Sequence, residues 1–325
     1  MTVPVSIVIP VHNRSELLQQ LLKSIESQTV APLEVIVVDD ASTEDTAAVA
    51  GVCGARIVAM ERNSGFAASV NRGIVEARGE IIALLNSDVT LERDWLEILW
   101  SAMDAASADF ATGTILQPGG LVDGTYDLVC RGGTAWRAGA GHPLRAFNGK
   151  IREIRFCSAT AALYRKSLFS EVGRFDELFE SYLEDVEFGM RCAVRGKRGI
   201  YCPTAVCQHL GSSSFGTWTA RVVRLIARNQ VLLLARHYPP GILRRWMWRI
   251  LVAQLLWGAL AVRHGRGISW IRGKLEGVRR FQINRSTSPI EDLVVESERE
   301  IYRLQAAGGF DTYWRIYFAL TGRPR

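Results

Sequence analysis

Val35-Ile36-Val37-Val38-Asp39-Asp40 and Ile81-Ile82-Ala83-Leu84-Leu85-Asn86-Ser87-Asp88 are short apolar runs that each stop on polar, mostly acidic side chains. Continuous runs of this length, rich in Val and Ile, are the pattern of strands buried on both faces. The neighbouring runs read the same way, so four strands are expected over residues 5–11, 33–38, 55–60 and 80–85. Helical patterns near 15–27, 43–52 and 65–77 lie between them, with Ser15, Thr43 and Ser64 as candidate N-caps. Strand and helix alternating at this spacing require right-handed crossovers, which predicts an α/β fold with a mainly parallel sheet flanked by helices. Ligands in such sheets gather at the carboxyl ends of strands. Asp39, Asp40, Asn86 and Asp88 all fall there.

Beyond residue 106 the pattern dissolves. Residues 107–155 are Gly-rich (Pro118-Gly119-Gly120, Arg131-Gly132-Gly133, Gly139-Ala140-Gly141) and read as one long loop of the functional kind. Periodicity returns at Ser158-Ala159-Thr160-Ala161-Ala162-Leu163-Tyr164, whose small side chains let another segment or a ligand approach closely. A helix is expected over 183–195, opened by Glu184 and Asp185, and Gln208-His209-Leu210 ends a later apolar run.

An arm begins near Phe215. Arg221, Arg224, Arg228 and Arg236 share one sector of a first helix, which Tyr238-Pro239-Pro240-Gly241 breaks. A second helix sets Trp246, Trp248, Trp257 and Trp270 among Arg244, Arg245, Arg249 and Arg272. Its longest apolar run, 250–262, falls short of the roughly 20 residues that span a bilayer, so the arm is expected to lie in an interface rather than cross it. An acidic helix over 288–306, a Gly308-Gly309 stop and an aromatic tail complete the chain.

At 325 residues, 48% of them apolar, the chain can bury a large core and still carry an appendage. The net charge of +6 hides an asymmetry: the first 220 residues hold 20 basic and 26 acidic groups, whereas 221–285 hold 14 basic groups and one acid, Glu276. The acidic body argues against a nucleic-acid substrate, and the basic arm suits either a solvated helical subdomain or an anionic membrane surface. Six scattered cysteines form no C-x-x-C pair, which excludes a zinc or redox framework of that kind. The N-terminus enters a strand without the basic lead and apolar core of a signal peptide. A reducing cytoplasm is expected, where the sequon Asn284-Arg285-Ser286 carries no meaning. Gly267 through Gly273-Lys274 has the wrong spacing for a phosphate loop and lacks the following Ser or Thr.

Carboxylates on successive strand ends, with a His nearby, are what holds a divalent cation against a phosphate-bearing ligand. Each piece also has a plain reading. Asn86-Ser87-Asp88 can be a helix-capping turn, Asp40 a helix entry, Glu184-Asp185 a complement to a helix dipole, and His209 a hydrogen-bonded core residue.

The joint pattern resembles the family 2 glycosyltransferases, which have the GT-A fold, across roughly residues 4 to 220. Ile9-Pro10-Val11-His12-Asn13-Arg14 is similar to the family's first strand and nucleotide loop, which implies donor contacts from Pro10, Val11 and Asn13. Asp39 and Asp40 resemble its nucleoside-contacting acids, Asn63 and Gly65 its base-contacting loop, and Asn71 the helix after that loop. Asn86-Ser87-Asp88 resembles the metal motif usually written D-x-D, with Asn86 in the first position as in rhamnosyltransferase-like members. The resemblance implies Asp88, Asn86 and His209 as ligands of Mg²⁺ or Mn²⁺, with Ser87 beside the donor. It further implies Tyr182 at the acceptor, Asp185 as general base and Glu184 next to it.

The activity implied by this resemblance is that of an inverting, metal-dependent transferase acting on a nucleotide-diphosphate sugar, with rhamnose from a dTDP donor as one candidate. The acceptor is a saccharide or polyprenyl-linked saccharide of a cell-surface polysaccharide, met by a peripheral protein at the inner face of the cell membrane. Domains are expected at 1–215 (nucleotide-sugar half 1–106, acceptor half 107–215) and 216–325 for the arm. The alternatives are a nucleotidyltransferase, for which a Gly-rich triphosphate loop is missing near the first strand, and a catalytically altered scaffold of the same fold.

Overall fold

A computed structural model describes residues 1–144, 149–210, 218–282 and 290–324. The Gly211-Ser212 end of the late His segment, the start of the arm at Phe215 and the sequon lie outside the described residues. The chain divides into two compact units, Met1–Tyr126 with Gly139–Ser214, and Asp127–Ala138 with Phe215–Arg325.

The first unit opens with β1 (Thr2–Val11), α1 (Ser15–Glu26), β2 (Ala31–Asp39), α2 (Thr46–Val52), β3 (Arg56–Ala59), α3 (Phe66–Glu76) and β4 (Ile81–Leu85). It continues through β5 (Val89–Leu91), α4 (Trp95–Ala105), β6 (Phe110–Leu116) and β7 (Val122–Gly124). The β8–β9 hairpin (Asp127–Val129, Ala135–Arg137) belongs to the second unit. The first unit then closes with β10 (Arg152–Ile154), β11 (Ala161–Arg165), α5 (Lys166–Val172), α6 (Glu184–Val194) and β12 (Gly199–His209).

One large sheet runs in the order β10-β12-β6-β11-β4-β1-β2-β3, with β5 added to β12 and β7 to β6. β3, β2, β1 and β4 are mutually parallel, and β11 enters antiparallel between β4 and β6. The four expected strands are therefore present, and their carboxyl ends lie side by side. One sheet face is covered by α1 and α4, which bury Leu18, Leu21, Leu22, Trp95, Leu96 and Leu99 against Ile7, Ile9 and Ala83. On the other face α3 presses close, because a Cβ at Gly73 would stand 2.2 Å from Val8 Cγ1 and 3.1 Å from Val38 Cγ2. Beside it Tyr164, Phe169, Phe175 and Phe188 form a ring cluster that seats α6, with centroids 4.8 Å apart for Phe175–Phe188.

Several expectations are corrected. Residues 107–155 are not one loop: Phe110–Leu116 is an interior strand, and four short strands follow it, the last ending at Ile154. The residue before α2 that caps it is Asp45, accepting from Ala48 N, while Thr43 bonds to Asn13 instead. The N-cap of α3 is Gly65 rather than Ser64, and Ser15 is the first residue inside α1.

In the second unit α7 (Ala220–His237) is buried almost all round, so its arginines form no continuous solvated sector: Arg221 is exposed, but Arg228 is enclosed and Arg224 chelates Glu276 at 3.0 and 2.9 Å. What the sequence suggests as one Trp-rich helix is three, α8 (Pro240–Arg245), α9 (Met247–Arg263) and α10 (Gly267–Arg279), with α11 (Ile290–Gly308) and α12 (Thr312–Thr321) after them. Glu298 on α11 ties the unit together, paired with Arg131 and accepting from Tyr317 at 3.0 Å. No described helix is long and apolar enough to cross a membrane.

Candidate active site

The carboxyl ends of β1 and β2 are in register, Pro10 opposite Val38 and Val11 opposite Asp39. At this rim the backbone turns through two left-handed residues, Asn13 and Arg14. The Asn13 side-chain oxygen accepts from Thr43 N at 2.8 Å and Thr43 Oγ1 at 3.1 Å, so it braces the loop after β2. Asp39 holds the same loop, accepting from Ser42 N at 2.9 Å and Thr46 Oγ1 at 2.7 Å. Asp40 accepts from Ser64 N at 2.7 Å and Gly65 N at 2.9 Å, which fixes the entry to α3 and leaves Asn63 exposed at its lip. Gly65 has φ +89° and lies against the Glu180 backbone, a conformation and an approach that a side chain would obstruct.

That approach joins two loops. Ala67 N donates to Glu180 O at 2.9 Å and Phe66 N to Ser181 Oγ at 3.3 Å. Asn71 is wholly engaged in the same seam: its amide donates to Phe175 O and Glu177 Oε1, both at 2.9 Å, and accepts from Phe175 N at 3.0 Å. The Asn71 side chain thus acts as a strut between the two loops. Glu180, Tyr182 and Leu183 all have positive φ in the turn that enters α6. Three left-handed non-glycine residues within four positions store backbone strain of the kind concentrated at functional sites.

The turn delivers Glu184, which is buried, and Asp185, which is half-buried, at the first turn of α6. Asp185 Oδ1 accepts from Val186 N at 2.8 Å and Oδ2 from Ala159 N at 3.3 Å. One residue further, Thr160 O accepts from Asn86 N at 2.9 Å. The start of α6 and the end of β4 therefore meet through the small-residue segment before β11.

Asn86 Oδ1 is buried and has no hydrogen-bond partner among the described residues. Ser87 is buried, and Asp88 Oδ1 stands 3.2 Å from His209 Nε2 at the end of β12. The other ring nitrogen, Nδ1, is 2.9 Å from Asp123 Oδ2 on β7. Burial alone would drive the proton off this imidazole, but hydrogen bonds to Asp123 and Asp88, reinforced by their charges, push its pKa from the usual 6.5 up to about 9.

Asp88, His209 and Asp123 are strung in a row, not aimed at one point, and no group of three or more His, Cys, Asp or Glu among the described residues is arranged to hold a metal ion. The donor set nevertheless suits a cation bridged to a diphosphate, which takes only one or two protein ligands. An orphaned amide oxygen, a carboxylate and an imidazole whose far nitrogen is fixed by a second carboxylate are the parts of such a site. Nothing in the sequence singles out Asp123. Val122-Asp123-Gly124 lies in the Gly-rich stretch and is too short to show periodicity; only its pairing with β6 reveals it.

The sequence profile of the family described as "Glycosyl transferase family 2" matches residues 6–173. Over 273 residues the chain is 27% identical to the N-acetylglucosaminyl-diphospho-decaprenol L-rhamnosyltransferase of Mycobacterium tuberculosis, covering 76% of this chain and 87% of that protein. It is 30% identical over 197 residues to the glycosyltransferase YwdF of Bacillus subtilis, covering 58% of this chain and 68% of the relative. Among solved structures, GalNAc-T7 with UDP, GalNAc and Mn2+ superposes with a TM-score of 0.61 at 14% identity, covering 94% of this chain and 58% of that one. A mannosyltransferase from Pyrobaculum calidifontis in complex with GDP-Man and Mn2+ superposes with a TM-score of 0.53 at 15% identity, covering 98% and 87%. These likenesses give the fold as GT-A type.

Proposed function

This chain belongs to glycosyl transferase family 2, and we propose that it is an inverting transferase that moves a sugar from a nucleotide-diphosphate donor to a lipid-linked saccharide acceptor. The observation that carries this reading is the pair of hydrogen bonds, Asp185 to Ala159 and Asn86 to Thr160, that brings a candidate base within a few residues of the Asn86–Asp88 turn. The donor's nucleotide would lie along the carboxyl ends of β1 and β2, past Pro10, Val11 and the loops that Asn13, Asp39 and Asp40 hold, with Asn63 and Gly65 at its base. Backbone groups and loop shape, more than the Asp39 and Asp40 carboxylates, are left to meet it. Ser87 would face the sugar diphosphate and Tyr182 the acceptor.

In the step itself, an acceptor hydroxyl oxygen forms a bond to the anomeric carbon as the bond from that carbon to the diphosphate oxygen breaks on the opposite side, which inverts the centre. The hydroxyl proton passes to a carboxylate oxygen of Asp185, whose position Ala159 N and Val186 N fix while leaving each oxygen a further lone pair. Glu184 is buried beside it. Asp88, with Asn86 and His209, would hold a divalent cation, Mg²⁺ or Mn²⁺, that supplies positive charge to the leaving diphosphate.

Rhamnose as the transferred sugar and a polyprenyl-linked acceptor are supported by the name of the mycobacterial relative; a role in cell-surface polysaccharide synthesis and a station at the inner membrane face extend that reading. Two experiments test the core. Nucleotide sugars, dTDP-rhamnose among them, are screened for thermal stabilisation with and without Mn²⁺; stabilisation by none of them sinks the donor assignment. Donor hydrolysis separates an enzyme from a scaffold, which would bind without turnover.

A further inference from the structure

The solvent side of α9 carries Trp248, Leu251, Leu255 and Val262, and that of α10 carries Ile268, Ile271, Leu275 and Val278. These eight side chains are between 47% and 69% exposed, at spacings of three, four and seven residues that keep each set in one stripe. The pattern inverts the usual surface helix, whose polar face looks outward. It is not a loosely packed edge. On α10, a Cβ at Gly273 would lie 2.2 Å from Arg224 O, and one at Gly277 would lie 2.6 Å from Val231 Cβ, so the helix is pressed hard against α7. The Trp270 ring fills the notch at Gly258 of α9, and Trp248 Nε1 donates to Leu320 O at 3.0 Å. Both helices are thus mounted firmly from behind, with apolar stripes left facing water.

Charge on the stretch that carries the stripes is almost all of one sign, although Arg245 also pairs with Glu291 of α11. Arg244, Arg245, Arg263, Arg266, Arg272, Arg279 and Arg280 are exposed, and the one acid between residues 221 and 285, Glu276, is already chelated by Arg224. α9 has 17 residues, about 25 Å of helix, less than a hydrocarbon core of about 30 Å.

We infer that α9 and α10 form a docking wedge whose apolar stripes enter the headgroup boundary of an anionic bilayer while the arginines meet lipid phosphates. The inference rests on the lipid-linked acceptor proposed above and makes it more specific: contact is by apolar insertion as well as by charge. A second copy of the chain suits the surface less, since its own arginines would be brought against these.

The test is sedimentation of the full chain with vesicles of phosphatidylcholine and phosphatidylglycerol, compared with phosphatidylcholine alone. The wild type is expected to bind the anionic vesicles and to retain part of that binding at about 1 M salt, where charge attraction is screened within roughly 3 Å. Arg272→Gln and Arg279→Gln are each expected to weaken binding roughly fivefold at low salt and little at high salt. Leu255→Glu with Leu275→Glu should weaken it more than about tenfold at either salt, with an unchanged thermal midpoint and unchanged turnover on a water-soluble acceptor. Wild type that ignores anionic vesicles overturns the proposal. So does a glutamate variant that still sediments, or a wild-type dimer in solution that the glutamates dissolve, which would make the occupant a second copy. Absence of turnover on any water-soluble acceptor, with vesicle binding intact, would instead count against the transferase reading.

Discussion

Replacing Asp123 by Asn removes one of the two carboxylates that hold His209, and the effect should depend on pH in a defined direction. In metal-free protein the imidazole, its side chain 8% exposed, lies 2.9 Å from Asp123 and 3.2 Å from Asp88. Desolvation opposes its charge, but the paired carboxylates raise its pKa from 6.5 to about 9. The folded state therefore holds a proton that the unfolded state has released between those values. The resulting stabilisation is complete below about pH 6.5 and is lost as pH rises through about 9. A rise of that size corresponds to about 3 kcal/mol. If Asp123 supplies about half, the variant should be less stable than wild type by 1 to 2 kcal/mol, as an order-of-magnitude figure, near pH 6, with the gap closing near pH 10. Urea denaturation with a chelator present, run on both proteins across that range, measures the gap directly and cancels every other titration. A gap that stays constant, or widens with pH, would refute the assignment of the proton to His209.

Four further outcomes are expected. Asp185→Asn should lower turnover by about two to four orders of magnitude while leaving donor affinity near wild type in a binding titration; retained activity removes Asp185 from the role of base. Asn86→Asp, which turns a buried unpartnered amide oxygen into a carboxylate, should tighten Mn²⁺ binding by roughly tenfold, read by the spin-resonance signal of free Mn²⁺. Gly73→Ala would place a methyl 2.2 Å from Val8 Cγ1 and should destabilise by about 1–3 kcal/mol, seen as a lowered thermal midpoint. Lys274, half-buried with its amine donating to Gln230 and Gln254, has its pKa pushed down to about 7 by desolvation of that amine. The unfolded chain then binds the extra proton above about pH 7, so wild type should gain stability relative to Lys274→Met as pH rises from about 7 to about 10 in paired urea titrations.

The parallel half of the sheet was legible because residues 7–9 of β1, 36–38 of β2 and all of β4 are buried on both faces and form continuous apolar runs. β6 was not, although it is just as interior. Its centre is Thr112-Gly113-Thr114, polar by composition, and the hydroxyls are satisfied inside the sheet by Ala161 O, Tyr201 and Pro203 O. A single sequence does not reveal such pairings. The same holds for Arg228, which looks like a solvated residue of an amphipathic helix and is enclosed. At the candidate site the acids at strand ends could be read from position alone, because a strand's last residue has few places to go. Asp123 and the bracing duty of Asn71 depend on loops whose geometry is set by distant segments. Periodicity carries no trace of them.

The seam between residues 63–67 and 177–183 bears on engineering. Because Ala67 and Phe66 donate to Glu180 and Ser181, and Asn71 grips Glu177, the two turns behave as one part. A chimera that imports a foreign 177–183 turn would break the scaffold of the 63–67 loop unless residues 63–71 travel with it. Under the proposed function, selectivity at the two ends of the reaction would therefore not be modular in this chain.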